Sequence, residues 1–69
     1  MFLWHEEFRN GITVYIGNCG DGTYFRVMPW KYGDWEAMYH GLLIGDRTYP
    51  TKEAAIRACE KYRERMRND

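Results

Sequence analysis

Glycine spacing is the feature that most limits how this 69-residue chain can fold. All seven glycines lie between Gly11 and Gly45, where they divide the chain into short runs. In runs such as Ile12–Ile16, apolar and polar side chains alternate, which is typical of a half-buried strand. A chain of this length has room for one domain with a single small core. The first fifty residues therefore predict a small sheet with tight turns.

Turn signals give the approximate bounds of the predicted strands. Asn10-Gly11 is a strong two-residue hairpin signal, because both residues accept positive φ. Gly17–Gly22 is predicted to be a loop, Pro29 to end a strand, Gly41 to mark a bulge or twist, and Gly45-Asp46 to form a turn. The predicted strands span residues 3–8, 12–17, 23–28, 35–44 and 47–49. For residues 1–8 a helical turn or a disordered arm stays open as an alternative.

The end of the chain carries the pattern of one amphipathic helix, predicted over residues 52–66. Thr51 is placed to act as its N-cap, and Glu53 lies in the first turn, where the helix dipole favours an acid. Apolar residues recur at helical spacing and form one stripe along the helix. Strands followed by one helix predict an α+β fold: an antiparallel β-meander of three to five strands with a C-terminal α-helix packed on one face. Residues 1–69 are predicted to form a single domain.

One helix covers only one face of such a sheet, so the other face is expected to lack a covering layer. Strand alternation divides the side chains between the two faces. The residues expected beneath the helix are Ile12, Val14, Ile16, Phe25 and Val27. The residues expected on the uncovered face are Tyr15, Tyr24, Arg26 and Met28.

Aromatic residues are concentrated in the middle of the chain, where six of the sixteen residues from 24 to 39 carry rings. Tyr, Trp, Met and Arg are enriched in interface cores, and large exposed apolar patches are uncommon on monomers. A structural explanation also stays open, because cross-strand aromatic pairs stabilise a solvated sheet face by about 0.2–1 kcal/mol each. We predict a partner-binding surface that consists of Trp30, Tyr32, Trp35, Tyr24, Asp34, Glu36, Arg26 and Tyr15. Of these, Trp30, Tyr32 and Trp35 are the predicted anchors, and the two acids would meet basic groups on the partner.

No group of residues carries a recognisable catalytic or metal-binding motif. His5, His40, Cys19 and Cys59 have suitable side chains, but none lies at the short paired spacing of structural zinc sites. We therefore predict a non-enzymatic binding protein with no catalytic residue, no metal and no cofactor.

Charge balance bears on the kind of partner. Ten Lys and Arg side chains cancel ten Asp and Glu side chains, whereas dedicated nucleic-acid binders usually carry a basic excess. A host protein or ribonucleoprotein complex is therefore the first choice of partner. The alternative is a nucleic-acid-binding module that uses the exposed sheet face through Tyr24, Arg26 and Trp30.

Two resemblances add to these inferences. Residues 44–58 lead from a strand through a Thr cap into a helix that begins Glu-Ala-Ala. This pattern is similar to the plant ethylene-response DNA-binding domain and to the arm-binding domains of phage integrases, and it implies DNA reading by the sheet. In size, ring content and near-neutral charge the chain also resembles small phage accessory proteins, including anti-CRISPR and other anti-defence inhibitors. That resemblance implies inhibition of a host complex by steric occlusion.

Location and assembly are the last features that the sequence addresses. No segment approaches the ~20 apolar residues that span a bilayer, and the apolar run Met1–Trp4 is too short for a signal peptide. Two cysteines allow one disulfide but no dense framework of the secreted kind. We predict a soluble, cytoplasmic protein with reduced thiols and no membrane partner, acting in the host cytoplasm if phage-encoded. It would be a monomer, or a homodimer whose open sheet faces pair.

Overall fold

A computed structural model describes residues 3–20, 22–45 and 48–67 of the chain. It contains one five-stranded antiparallel sheet in the order β1-β2-β3-β4-β5 and a C-terminal helix, α1, which packs against it. The elements are β1 (Leu3–Arg9), β2 (Ile12–Asn18), β3 (Tyr24–Pro29), a 3-10 turn (Lys31–Gly33), β4 (Trp35–Tyr39), β5 (Leu42–Leu43) and α1 (Lys52–Arg67). The predicted α+β fold, a meander with one helix on one face, is confirmed.

Two-residue turns close the first and last hairpins of the sheet. Asn10 and Gly11, with φ of 52° and 79°, join β1 to β2 as predicted. His40 and Gly41 have the same backbone form, with φ of 51° and 83°, and join β4 to β5. The prediction of one strand over residues 35–44 is therefore wrong. A His-Gly pair accepts the positive φ values of a type I′ turn, so the chain reverses at Gly41 instead of forming a bulge.

Of the strand predicted over residues 47–49, the described part, Thr48 and Tyr49, contains an isolated bridge to β4. Trp35 and Tyr49 form an isolated bridge in which each backbone nitrogen donates to the other's oxygen at 2.8 Å. Arg47, and the Asp46 of the predicted Gly45-Asp46 turn, lie outside the described residues. Ile44 is buried, and its backbone nitrogen donates to the oxygen of Ala37 at 2.9 Å.

The start of α1 confirms the predicted N-cap. Thr51 Oγ1 accepts a hydrogen bond from the backbone nitrogen of Ala54 at 3.1 Å, which satisfies one of the free donors of the first turn. The helix lies across β3 and β4, with Ala55 and Cys59 buried against them. In the described part of the chain no helix is long and apolar enough to cross a membrane.

The core lies between α1 and the middle of the sheet. Phe25, Val27 and Ala37 are fully buried there, and they join the two buried helix residues in one cluster. The ring of Phe25 packs against Tyr39 and Tyr62, with centroids 4.7 and 5.9 Å away. Residues that lie directly opposite in an antiparallel pair share a face, and Phe25 is the direct partner of Tyr39. The side of Tyr39, which the sequence left undecided, is therefore the helix side.

Register shows that the predicted face of β2 is wrong. Tyr15 pairs with Val27, and Gly17 with Phe25, so the odd-numbered residues of β2 lie on the helix side. Ile12, Val14 and Ile16 lie on the opposite face, and Tyr15 does not. The more apolar set does not meet the helix, because α1 packs on β3 and β4 and leaves β2 to be covered by side chains of the sheet itself.

Gly17 lies within β2, as the strand predicted over residues 12–17 has it, and a ring occupies the space beside it. A Cβ at this position would lie 2.8 Å from Cζ2 and Cη2 of Trp4, its direct partner on β1. Gly17→Ala is expected to lower the free energy of unfolding by about 1–3 kcal/mol, because the ring must shift. Urea denaturation of Gly17→Ala, Trp4→Leu and the double variant measures the effect. The cost should shrink when the ring is absent, and simple addition of the two single costs would contradict this packing.

Candidate protein-binding surface

The side of the sheet that faces away from α1 carries a continuous row of side chains, and we call this side the open face. Its central row crosses all five strands through direct cross-strand partners. The residues of this central row are His5, Ile16, Arg26, Met38 and Leu43. A second row contains the pairs Glu7 with Val14 and Met28 with Glu36. The described chain contains one α-helix, and it packs on the other side of the sheet.

The floor of the open face is aliphatic, and its rim is polar. Val14 and Ile16 are only 4% and 9% exposed, although no helix covers them. A depression of about 340 Å³ lies beside them over β1, β2 and β3. Its lining includes His5, Glu7, Arg9, Ile16, Tyr24 and Arg26. Long polar side chains that cover apolar neighbours with their stems explain this burial.

On the open face, the charged residues of β1 form ion pairs with one another. His5 Nε2 lies 2.9 Å from Oε2 of Glu7, and the guanidinium of Arg9 forms an ion pair with Oε1 of the same carboxylate. The hydrogen bond with His5 is the main cause that lowers the pKa of Glu7 below its ordinary value. Partial desolvation raises the pKa of Glu7, whereas Arg9 lowers it further. This trio therefore leaves little net charge at its end of the open face.

Unlike Arg9, Arg26 forms no ion pair with a carboxylate in the described residues. Its Nη2 donates only to the thioether sulfur of Met38, at 3.6 Å. Its Nε is shielded from water and has no hydrogen-bond partner within residues 3–20, 22–45 and 48–67. A half-buried polar group without a partner costs free energy. The centre of the open face thus presents a cation that is not neutralised, on an apolar floor.

Aromatic residues extend this surface at one end, in the loop between β3 and β4. Trp30 continues the extended backbone of β3, with φ of −121° and ψ of −170°, and its nitrogen donates to the oxygen of Asp34 at 2.7 Å. Strand alternation places Trp30 on the same side as Met28, two residues earlier. Its ring is 48% exposed, so it adds apolar area to the open face.

Tyr32 occupies the tip of that loop in a strained conformation. Its φ of 60° and ψ of 28° are left-handed, which is uncommon for a bulky side chain. The side chain is 97% exposed, so intramolecular packing does not explain why a ring stands there. Strained, exposed residues of this kind are concentrated at binding and catalytic sites.

Register and burial divide the eight predicted site residues into groups. Tyr24, Arg26 and Glu36 lie on the open face, with Trp30 and Tyr32 in the adjoining loop. Asp34 lies in the same loop, and its Oδ2 accepts a hydrogen bond from Thr48 Oγ1 at 3.3 Å. Their role in binding stays a prediction.

Tyr15 and Trp35 do not belong with the other predicted site residues. Both lie on the helix side, half-buried against the core, with ring centroids 6.1 Å apart. Lys52 Nζ lies 4.5 Å from the centroid of Tyr15. These two rings therefore extend the core, and the prediction that Tyr15 lies on the uncovered face is corrected.

Sequence reasoning missed four residues of the central row: His5, Ile16, Met38 and Leu43. The two-residue Asn10-Gly11 turn sets His5 opposite Ile16, but the face predicted for Ile16 was wrong, so the pair would have been placed on the helix side. The other two depend on the unrecognised turn after β4, which pairs Met38 with Leu43.

Neither thiol is part of the open face, and both are free. Cys59 is fully buried beside the core, and desolvation is the main cause that raises its pKa from 9.0 to about 12. Glu60 and Cys19 add to the increase. Among the described residues no group of three or more His, Cys, Asp or Glu side chains could hold a metal ion.

Alkylation by iodoacetamide at pH 8 is expected to separate the two thiols. The raised pKa makes the thiolate of Cys59 about a thousandfold rarer than that of an ordinary thiol at the same pH. Cys19, which is half-exposed, should react within minutes, and Cys59 only in denaturant. The raised pKa contributes stability that is fully present below pH 9.0 and is lost as pH rises towards about 12. Equal labelling of both thiols in the folded protein would contradict this burial.

The two sides of the sheet are thus covered in different ways, one by α1 and the other only by its own side chains. Comparison with protein-family models, with curated proteins and with solved structures finds no match for the chain. The chain is a small α+β domain, and its open face, with the adjoining loop, combines exposed rings, methionines and a cation without an ion-pair partner in the described residues.

Proposed function

We propose that this chain is a non-enzymatic protein-binding domain that uses its open face to occlude a surface of a larger host protein or ribonucleoprotein complex. The observation that carries this proposal is the central row of the open face, with Arg26 in its middle and no ion-pair partner for it among the described residues. The row crosses every strand, so a partner would meet a continuous surface as wide as the sheet.

The chemistry of the open face favours a protein partner that presents a carboxylate within an apolar surface. Arg, Tyr, Trp and Met are the side chains enriched at interface cores, and Lys, Glu and Asp are depleted there. A carboxylate placed on Arg26 would form charge-assisted hydrogen bonds with its guanidinium. Met28, Met38 and Leu43 would exclude water around that pair. Trp30 and Tyr32 would add anchors at the edge of the surface.

The charge of the open face lends less support to nucleic acid. Arg9, Arg26 and His5 stand against Glu7 and Glu36 on the same side of the sheet, and Glu7 already pairs with two of the three basic groups. Phosphate recognition depends on a basic excess. Steric occlusion is the mode of action we propose, as in the small phage inhibitors that the chain resembles. Free thiols fit the reducing cytoplasm, which is the proposed site of action.

Comparative capture tests this function with matched variants. Immobilised wild type, Arg26→Glu on the open face and Lys52→Glu on the helix side are exposed to the same lysate. The expected result is a protein retained by wild type and by Lys52→Glu, and lost with Arg26→Glu. Equal retention by all three would contradict use of the open face.

Two further measurements separate the alternatives. A bound fraction that disappears after nuclease treatment and falls steeply with salt would indicate nucleic acid. Light scattering after size exclusion would reveal a homodimer that covers the open face, which would contradict the proposal of a free binding surface. A monomer at all concentrations is expected.

A further inference from the structure

A second concave surface lies on the helix side of the sheet, away from the open face. It is a groove of about 590 Å³ between α1 and the residues Ile44, Gly45 and Tyr49. Its apolar lining comes from Ile44, Ala54, Ala58 and Tyr62. The small side chains of the two alanines leave the backbone of α1 accessible to a partner, and the half-buried Tyr62 forms one wall.

Three cations stand along one rim of this groove. Arg57, Lys61 and Arg65 line it, and each is exposed. They are four residues apart on α1, so they share one side of the helix and are spaced by about 6 Å along its axis. In the described ranges none of the three forms an ion pair, and no acidic side chain lines the groove.

These features specify the chemistry of an occupant. Carboxylates four residues apart on a second α-helix also lie about 6 Å apart, which matches the cation spacing. The other side of such a helix would carry apolar residues onto Ala54 and Ala58, whose small side chains permit close helix–helix approach. A phosphate chain would satisfy the three cations but would leave the apolar lining uncovered. Charge complementarity and the apolar lining together therefore favour a protein helix.

We propose that this groove is a docking site for an acidic amphipathic helix of a partner protein, with its carboxylates facing Arg57, Lys61 and Arg65. The occupant is distinct from the surface that the open face would bind, because the two sites lie on opposite sides of the sheet. A protein that used both would clamp the sheet from two directions, and each site is testable without the other.

Titration of the full ¹⁵N-labelled chain with two synthetic peptides tests this site. Both are 16-residue helical peptides with the same leucine stripe, and they differ only in carrying Glu or Gln at three positions four residues apart. The Glu peptide is expected to shift the amide signals of residues 54–65 and to bind about tenfold more tightly than the Gln peptide at low salt. Salt at about 0.5 M should remove most of that difference.

Two triple variants provide the matched comparison. Arg57→Gln, Lys61→Gln and Arg65→Gln together should weaken the Glu peptide about tenfold, to the level of the Gln peptide. Arg9→Gln, Lys31→Gln and Lys52→Gln remove the same total charge outside the groove, and should change the affinity by no more than about twofold. Circular dichroism checks that both variants retain the helix, which is expected because the three groove cations are exposed.

Several results would overturn the proposal. These are equal affinity for the Glu and Gln peptides, amide shifts centred on the open face, or an equal loss of Glu-peptide affinity in the two triple variants. Tighter binding of a 12-residue oligothymidylate to the same amides would assign the groove to phosphate instead. Shifts of groove amides that depend on the protein's own concentration would assign it to a second copy of the chain.

Discussion

Phe25→Ala is expected to leave about half of the molecules unfolded at 25 °C. The Phe25 side chain is fully buried and contacts rings from both β4 and α1, so its removal opens a cavity at the centre of the core. Truncation of a buried Phe typically costs about 3–5 kcal/mol. A single core in a domain of this size supplies a net stability of only ~3–5 kcal/mol. The loss should therefore match the whole stability of the fold.

Thermal unfolding followed by circular dichroism measures this loss, with Phe8→Ala as the control. Phe8 is 76% exposed on β1, so the same truncation there should change stability by about 0.5 kcal/mol or less. One kcal/mol corresponds to a shift of about 4–8 °C in a domain of this length, which separates the two variants clearly. Similar melting temperatures for both would contradict the placement of Phe25 between sheet and helix.

Arg26→Met is expected to separate binding from folding. The wild-type guanidinium is half-buried among apolar neighbours without an ion pair in the described chain, so its replacement by Met should leave the stability unchanged or raise it by up to about 2 kcal/mol. The affinity for the partner should fall in the same variant. Loss of a central Arg anchor commonly costs about 2 kcal/mol or more, which is about 30-fold in Kd.

Denaturation and calorimetry with the captured partner check these two effects, with Lys52→Met at the start of α1 as the matched control. That variant should change stability by no more than about 1 kcal/mol and should leave binding to the open face intact. A loss of stability in Arg26→Met would mean that the guanidinium has a structural partner. Loss of binding in Lys52→Met alone would move the interface to the helix side.

Local signals in the sequence were sufficient for most of the fold. The Asn10-Gly11 turn, the Thr51 cap and the helical spacing of Ala55, Cys59 and Tyr62 are each short-range features. They are confirmed because their geometry depends on neighbouring residues along the chain. The turn at Gly41 was not predicted, because His-Gly was not considered a turn signal. His40-Gly41 nevertheless forms the same turn as Asn10-Gly11.

The two faces of the sheet were harder to predict, because packing across the sheet decides which side of each strand meets the helix. Both alternating sets of β2 contain apolar residues, so periodicity alone does not say which set meets the helix. The observed choice depends on Gly17, which gives space to the ring of Trp4, and on a helix that packs mainly on β3 and β4. Tyr15 and Trp35 were misassigned for this reason. Tyr24 and Arg26 were placed on the uncovered face correctly, because alternation within β3 is a local signal. Glu36 lies there as the β4 partner of Met28.

Methyl cross-saturation in the complex with the captured partner tests the open face most directly. Ile16, Met28, Met38 and Leu43 place methyl groups on the open face, whereas Ile44, Ile56 and Met66 report on the helix side. The expected result is that irradiation of the partner attenuates the first set strongly and leaves the second at its free intensity. Attenuation that is greatest in the second set, or uniform across both, would contradict binding through the open face.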